Sequence, residues 1–121
     1  MLDRFNLDGK VVLVTGGGTG LGFAMVMALA KAGANIAIAG RRRGPIDEAV
    51  DAVKKVGSDG IAIAADISDS SQVDNLIQST LKKYGHIDAL INNAALVSEN
   101  VRKPIWDITD MEWQGAMDVN L

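Results

Sequence analysis

The sequence predicts an α/β fold in which a parallel sheet carries helices on both faces, a doubly wound arrangement. Short apolar segments alternate four times with helical segments along the 121 residues. The centre of Asn35–Gly40 is apolar on both faces, which is typical of strands buried in a parallel sheet. Glycines fall at the segment boundaries, where they end helices or form turns. We therefore expect one domain over residues 1–121, built from right-handed β–α–β units.

The first strand, Lys10–Thr15, runs into a glycine-rich turn and a helix from about Gly20 to just before Gly33. At such a junction backbone N–H groups and the positive end of the helix dipole suit a phosphate. The alternative is a tight structural turn. No Gly-Lys-Ser/Thr follows, so a nucleoside-triphosphate loop is not indicated. The predicted contacts to a dinucleotide are Thr15, Gly16, Gly18, Thr19, Gly20, Leu21 and Gly22. The predicted apolar face of the helix is Leu21, Ala24, Met25, Ala28, Leu29 and Ala32.

The remaining segments continue the alternation. Pro45 suits the first turn of a second helix that ends near Gly57. The later elements are a strand at Gly60–Ala65, a helix from about Ser70 to Tyr84 closed by Gly85, a strand at Ala89–Asn92, a loop over 93–108 and a last helix capped by Thr109 and Glu112. The predicted inward faces are Ile46, Ala49, Val50 and Val53 on the second helix, and Val73, Leu76, Ile77, Thr80, Leu81 and Tyr84 on the third.

Polar residues at the strand ends indicate which dinucleotide binds. An acid after the second strand would bind the ribose 2′-hydroxyl, but Arg41, Arg42 and Arg43 stand there. They predict a 2′-phosphate site, and thus NADP rather than NAD, with Arg41 the first candidate and Arg42 the second; a solvated basic loop is the alternative. Asp66 either accepts from the adenine amino group or serves as a turn or capping residue. Asn93 and its neighbour either join strands, contact the cofactor or form a turn.

Taken together, four motifs resemble the short-chain dehydrogenase/reductase family: the glycine turn, Asp66-Ile67, Asn92–Ala95 and Val119–Leu121. The resemblance implies a Rossmann-type fold, with only its first four strands in this chain. It also implies hydride transfer between a nicotinamide cofactor and a small alcohol or carbonyl substrate. By the same resemblance, Ile67 borders the adenine and Asn93, Ala94 and Ala95 contact the cofactor. Asn120 corresponds to a catalytic asparagine that helps to hold a lysine; an ordinary helix-end asparagine is the alternative.

The family's serine and Tyr-x-x-x-Lys have no counterpart here. No lysine stands four residues after Tyr84, and His86 falls in a turn away from the predicted ligand edge. We therefore expect a domain truncated on its C-terminal side and inactive alone. The alternatives are a short, non-catalytic dinucleotide-binding module or sensor subunit, and an S-adenosylmethionine or flavin protein. The loop Val97–Trp106 is expected to contact substrate. The resemblance implies pairing into a dimer or tetramer through the helix from Thr109, where Trp113 and Met117 face either a partner or the core.

Composition limits the partners and the compartment. The net charge is −3 and the isoelectric point about 5.0, which argues against nucleic acid or an anionic membrane as the main partner. The chain has no cysteine, no visible signal peptide and no apolar run long enough to span a bilayer. We therefore expect a cytoplasmic protein without a metal site.

Overall fold

The computed structural model describes residues 6–18 and 20–93, where four strands alternate with three helices. These elements are β1 (Val11–Thr15), α1 (Gly20–Lys31), β2 (Asn35–Gly40), α2 (Arg43–Lys55), β3 (Gly60–Ala64), α3 (Ser70–Tyr84) and β4 (Ala89–Asn92). Their predicted order and kind are confirmed. Three boundaries differ slightly, since β1 begins one residue later than predicted, β3 ends one residue earlier, and α2 already includes Arg43. The predicted loop over 93–108 and the helix from Thr109 lie outside the described residues.

The four described strands form one parallel sheet in the order β3-β2-β1-β4. Leu13 of β1 pairs with Ala37 of β2 and with Leu90 of β4, while Ala37 pairs with Ile61 of β3. The chain thus builds outward from β1 to β3 and then returns to the other side of β1 to form β4. Ligands of open α/β sheets bind at such a change of direction, beyond the carboxyl ends of the strands.

Helices cover both faces of the sheet, which confirms the predicted doubly wound arrangement. α1 and α2 pack on one face, where Val14 and Ile38 are fully buried. On the other face Leu76 of α3 joins a smaller cluster with Leu13 and Ala37. The predicted inward face of α2 is confirmed, since all four of its members are buried: Ile46, Ala49, Val50 and Val53. The α3 face is confirmed in part, because Leu76 and Thr80 are buried but Ile77 is 36% exposed.

The predicted inward face of α1 is wrong except for Leu29, which packs against the core cluster. The structure buries Gly22, Val26 and Ala30, whereas Leu21 is 71% exposed and Met25 lies outside the core cluster. This helix is apolar almost all round, so hydrophobic periodicity does not select one face. Tertiary contacts select it instead, and they bring Gly22, which has no side chain, against the backbone of the preceding turn.

Candidate functional site

The glycine turn lies at the carboxyl edge of the sheet, between β1 and α1. Gly16 has φ +70° and Gly20 has φ +57°, in the left-handed region that strains any residue with a Cβ. The N–H of Gly16 donates to the carbonyl of Ala39 in β2 at 2.8 Å, which fixes the start of the turn to the sheet. The turn then leads directly into the N-terminus of α1, the arrangement that binds phosphate groups in other proteins.

Gly22 and Asn93 hold the turn close to the start of α1. A Cβ on Gly22 would collide with the carbonyl oxygen of Gly16 and lie 2.5 Å from Nδ2 of Asn93. That same Nδ2 donates to the Gly16 carbonyl at 3.2 Å. The N–H of Asn93 donates to Oγ1 of Thr15 at 3.1 Å, and Thr15 is buried. The structure therefore brings together residues of two predicted motifs, the glycine turn and the Asn92–Ala95 segment, and gives Asn93 the strand-joining role that was one of its alternatives.

Gly18 connects the turn to the helix that follows β2. A Cβ at this position would lie 2.9 Å from Cβ of Pro45 and 3.1 Å from the backbone nitrogen of Ile46. The φ of Gly18 is not in the left-handed region, so this contact and not the backbone conformation accounts for the glycine. The turn and the first residues of α2 consequently lie against each other, a contact that spacing along the chain did not reveal.

The three arginines after β2 differ in their surroundings, although all three are exposed. Arg43 belongs to α2 and lies 3.4 Å from the carboxylate of Asp47, one helical turn later. Within the described part of the chain, no ion pair involves Arg41 or Arg42. Arg42 precedes α2 as its N-cap residue, and its side chain makes no capping hydrogen bond. Positive charge thus gathers beside the N-terminus of α2, and its dipole adds to the attraction for an anion.

Asp66 lies just after β3, at the same edge of the sheet. Its Oδ1 accepts from the N–H of Ser68 at 3.0 Å and from the hydroxyl of Ser68 at 2.7 Å. These hydrogen bonds, together with the positive charge of Arg41, lower the pKa of the Asp66 carboxyl. The turn role of Asp66 is therefore present, whereas the N-cap of α3 is Asp69. The neighbouring Ile67 is half-buried.

Tyr84 is committed to a structural contact at the opposite edge. Its hydroxyl donates to Oδ2 of Asp59 at 2.8 Å, just before β3 begins. Burial, together with the hydrogen bond to Asp59, raises the pKa of the Tyr84 phenol well above its usual value. The contact gives Tyr84 a structural role at the edge of the sheet opposite the glycine turn.

His86 and Asp88 occupy that same remote edge. Nε2 of His86 lies 2.9 Å from Oδ2 of Asp88 and 3.1 Å from the carbonyl oxygen of Gly9. Oδ2 of Asp88 also accepts from the N–H of Val11 at 2.8 Å. The Val11 N–H, and then the charges of His86 and Lys10, lower the pKa of Asp88. The contacts tie the beginnings of β1 and β4 together, which is a structural role that the sequence did not indicate.

Several predicted site residues cannot be located. Thr19, Ala94, Ala95 and Asn120 lie outside the described residues, as do the predicted substrate loop Val97–Trp106 and the pairing helix with Trp113 and Met117. Over residues 6–18 and 20–93, no cluster of three or more histidine or acidic side chains could hold a metal ion. No helix in the same part of the chain is long and apolar enough to cross a membrane.

Comparison with known proteins adds to this geometry. Residues 10–121 match the family model described as short chain dehydrogenase. Tropinone reductase-like 3 of Erythroxylum coca is 37% identical over 84% of this chain, and the match covers 43% of that protein. The short-chain dehydrogenase/reductase homolog YusS of Bacillus subtilis is 42% identical over 92 residues, which are 75% of this chain and 84% of YusS. The chain thus spans less than half of the first relative and most of the second.

Solved structures agree with the fold. A short-chain type dehydrogenase/reductase from Mycobacterium marinum has a TM-score of 0.90 at 32% identity, covering 99% of this chain and 47% of its own. A 3-ketoacyl-(acyl-carrier-protein) reductase from Brucella melitensis, complexed with NADH, has a TM-score of 0.86 at 32% identity. That match covers 96% of this chain and 46% of the reductase chain.

Proposed function

Because this chain belongs to the short-chain dehydrogenase family, we propose that it forms the cofactor-binding part of an oxidoreductase that uses NADP(H). The substrate would be a small alcohol or carbonyl compound. The observation that carries the choice of NADP is the arginine cluster: Arg41 and Arg42 follow β2 without an ion pair to a described carboxylate. NAD is the alternative cofactor, and it is favoured by the similar solved structure that is complexed with NADH.

The glycine turn suits the pyrophosphate of either dinucleotide. It leaves backbone N–H groups at the N-terminus of α1, where a ligand can approach because a Cβ on Gly20 would meet no atom of the described residues within 4 Å. Leu21 is 71% exposed at the same place, which leaves an apolar contact available to a bound molecule. We propose three groups of contacts: Thr15, Gly16, Gly18, Thr19, Gly20, Leu21 and Gly22 around the pyrophosphate, Asp66 and Ile67 at the adenine, and Asn93, Ala94 and Ala95 towards the nicotinamide ribose.

Arg41 allows a direct test of the cofactor choice. A charge-assisted hydrogen bond of about 1.5–3 kcal/mol corresponds to roughly ten- to a hundredfold in affinity. Arg41→Asp removes that contact and adds a negative charge, so it should weaken NADP⁺ binding at least that much more than NAD⁺ binding. The two dissociation constants are measured by calorimetry at one fixed salt concentration, because exposed charges are screened by salt.

Lys55→Asp is the matched control for this experiment. Lys55 is exposed like Arg41 but lies at the C-terminal end of α2, so the same change of charge there should leave the ratio of the two affinities nearly unchanged. Equal losses of NADP⁺ and NAD⁺ affinity in Arg41→Asp would refute the 2′-phosphate site. Absence of binding of both dinucleotides to folded wild-type protein would refute the proposed function itself.

Catalysis needs groups that this chain does not supply. A bound nicotinamide ring gives or takes the hydride, but a proton must also move at the substrate oxygen. The family resemblance assigns that step to a serine and a Tyr-x-x-x-Lys, which have no counterpart in the 121 residues. Asn120 is the one residue proposed for the catalytic machinery. We therefore expect no hydride transfer by this chain alone, and NADPH turnover by the purified 121-residue chain would contradict this.

A non-catalytic dinucleotide-binding module or sensor subunit is the second candidate function. It is favoured by one comparison: the match to YusS covers 84% of that protein, so a curated relative is itself short. The two candidates differ in the mass of the protein isolated from its natural source. A mass well above that of 121 residues supports the oxidoreductase, whereas a 121-residue protein that binds NADP⁺ without turnover supports the module. For either candidate we propose a cytoplasmic homo-oligomer.

A further inference from the structure

Gln72 connects the start of α3 to the segment that carries Asp66. Asp69 is the N-cap of α3, and its Oδ1 accepts from the N–H and the hydroxyl of Ser71 at 2.9 and 2.7 Å. Gln72 is the third residue of the helix, where a Glu or Gln side chain usually returns to the N–H of the N-cap. Here that N–H, of Asp69, instead donates to the carbonyl of Asp66 at 3.1 Å.

The amide of Gln72 reaches three residues further back. Its Oε1 accepts from the N–H of Asp66 at 2.7 Å, and its Nε2 donates to Oδ2 of Asp69 at 3.1 Å. One carboxamide therefore bridges Asp66 and Asp69, the second and the last residue of the connection between β3 and α3. Only a side chain with both an acceptor and a donor can make the two contacts, and glutamine has both.

These contacts fix Asp66 on two sides. Gln72 holds its backbone N–H, and Ser68 holds its Oδ1, so Oδ2 has no hydrogen bond to a described residue. The N–H of Ala65, just before it, donates to the carbonyl of Gly40 at 2.9 Å, which joins the segment to the end of β2. The free oxygen of Asp66 is thus held at the sheet edge that also carries Arg41.

We propose that Gln72 is a positioning residue for the adenine half of the cofactor. It holds the backbone of Asp66 so that Oδ2 of the carboxylate meets the amino group of the adenine. This inference rests on the proposed function, because it requires a bound dinucleotide. Gln72 itself does not contact the ligand and acts only through Asp66.

A cofactor analogue without the amino group separates this role from general stability. Gln72→Met keeps the length of the side chain but removes both hydrogen bonds to Asp66 and Asp69. We expect it to weaken binding of NADP⁺ by about three- to tenfold, the range of one neutral hydrogen bond. Binding of nicotinamide hypoxanthine dinucleotide phosphate, which lacks the amino group, should change by less than about twofold, because it never made the contact that is lost.

A second variant and a control complete the experiment. Gln72→Glu keeps the acceptor for the Asp66 N–H but places a negative charge beside the carboxylate of Asp69. It should therefore also weaken NADP⁺ binding selectively, and it tests the inference if Gln72→Met does not fold. Gln78→Glu makes the same charge change on an exposed part of α3 and should alter neither affinity. Thermal unfolding followed by circular dichroism confirms that each variant is folded.

The possible outcomes are distinct. Equal weakening of NADP⁺ and the hypoxanthine analogue would overturn the inference, since it would indicate a general structural role for Gln72. Unchanged NADP⁺ binding in Gln72→Met or Gln72→Glu would overturn it too. So would a wild-type protein that binds NADP⁺ and the hypoxanthine analogue with equal affinity. Only wild-type protein that binds neither NADP⁺ nor NAD⁺ would count against the proposed function.

Discussion

Thr15 gives a quantitative test of how the glycine turn is held to the sheet. Its side chain is 4% exposed at the end of β1, and its Oγ1 accepts from the N–H of Asn93 at 3.1 Å. The same hydroxyl donates to the carbonyl of Ile91 at 3.4 Å. Thr15→Val keeps the shape of the side chain and removes the hydroxyl, so the N–H of Asn93 loses this acceptor in a partly buried place.

The magnitude follows from these two contacts. A buried N–H left without an acceptor costs about 1–3 kcal/mol, while a 3.4 Å hydrogen bond is near the limit of its range and contributes little. We therefore expect Thr15→Val to lower the free energy of unfolding by about 1–3 kcal/mol. Thr15→Ser is the matched control: it retains the hydroxyl and loses one buried methyl group, at about 0.8 kcal/mol.

Urea denaturation followed by circular dichroism measures both stabilities, and calorimetry with NADP⁺ measures the effect on the site. Asn93 also donates to the carbonyl of Gly16, so moving it should disturb the turn in Thr15→Val much more than in Thr15→Ser. If the valine variant is as stable as the wild type and binds NADP⁺ equally well, the hydroxyl does not hold the turn. If serine and valine weaken NADP⁺ binding equally, the methyl group is responsible instead.

Two further predictions concern the two ends of the sheet. Gly22→Ala should abolish NADP⁺ binding in calorimetry, because its Cβ would collide with the Gly16 carbonyl oxygen, whereas Gly44→Ala, where a Cβ meets nothing within 4 Å, should bind normally. Asp88 has a lowered pKa, so its ionised form stabilises the fold above the unfolded carboxyl value of about 3.9, and this is lost as the pH falls. Asp88→Asn should therefore have a lower melting temperature than the wild type at pH 7 and approach it near pH 3. The control Asp74→Asn, at an exposed position on α3, should match the wild type at both pH values. A difference in melting temperature for Asp88→Asn that is the same at both pH values would contradict the assignment.

The hydrophobic pattern of the sequence was sufficient to predict the strands and helices, because it depends only on residues that are near one another in the chain. Strand β2 was recognisable as buried on both faces, and α2 has a single apolar side that the structure buries without exception. The same pattern failed for α1, whose residues are apolar in nearly every direction. There the inward face is chosen by the close approach of Gly22 to Gly16, a contact between a helix and a turn.

The sequence by itself determined the alternation of strands and helices, the doubly wound class and the meeting of glycines, arginines and Asp66 at one sheet edge, because these depend on periodicity and on the parallel direction of the strands. Only the tertiary structure decided how that edge is held. Asn93 and Gly16 are 77 positions apart, and their hydrogen bond exists because β4 lies beside β1. Gln72 and Asp66 are near in sequence, but Oε1 of Gln72 could equally have accepted from the N–H of Asp69, which donates to the Asp66 carbonyl instead. Hydrogen bonds of this kind depend on distances between atoms that residue type and spacing do not specify.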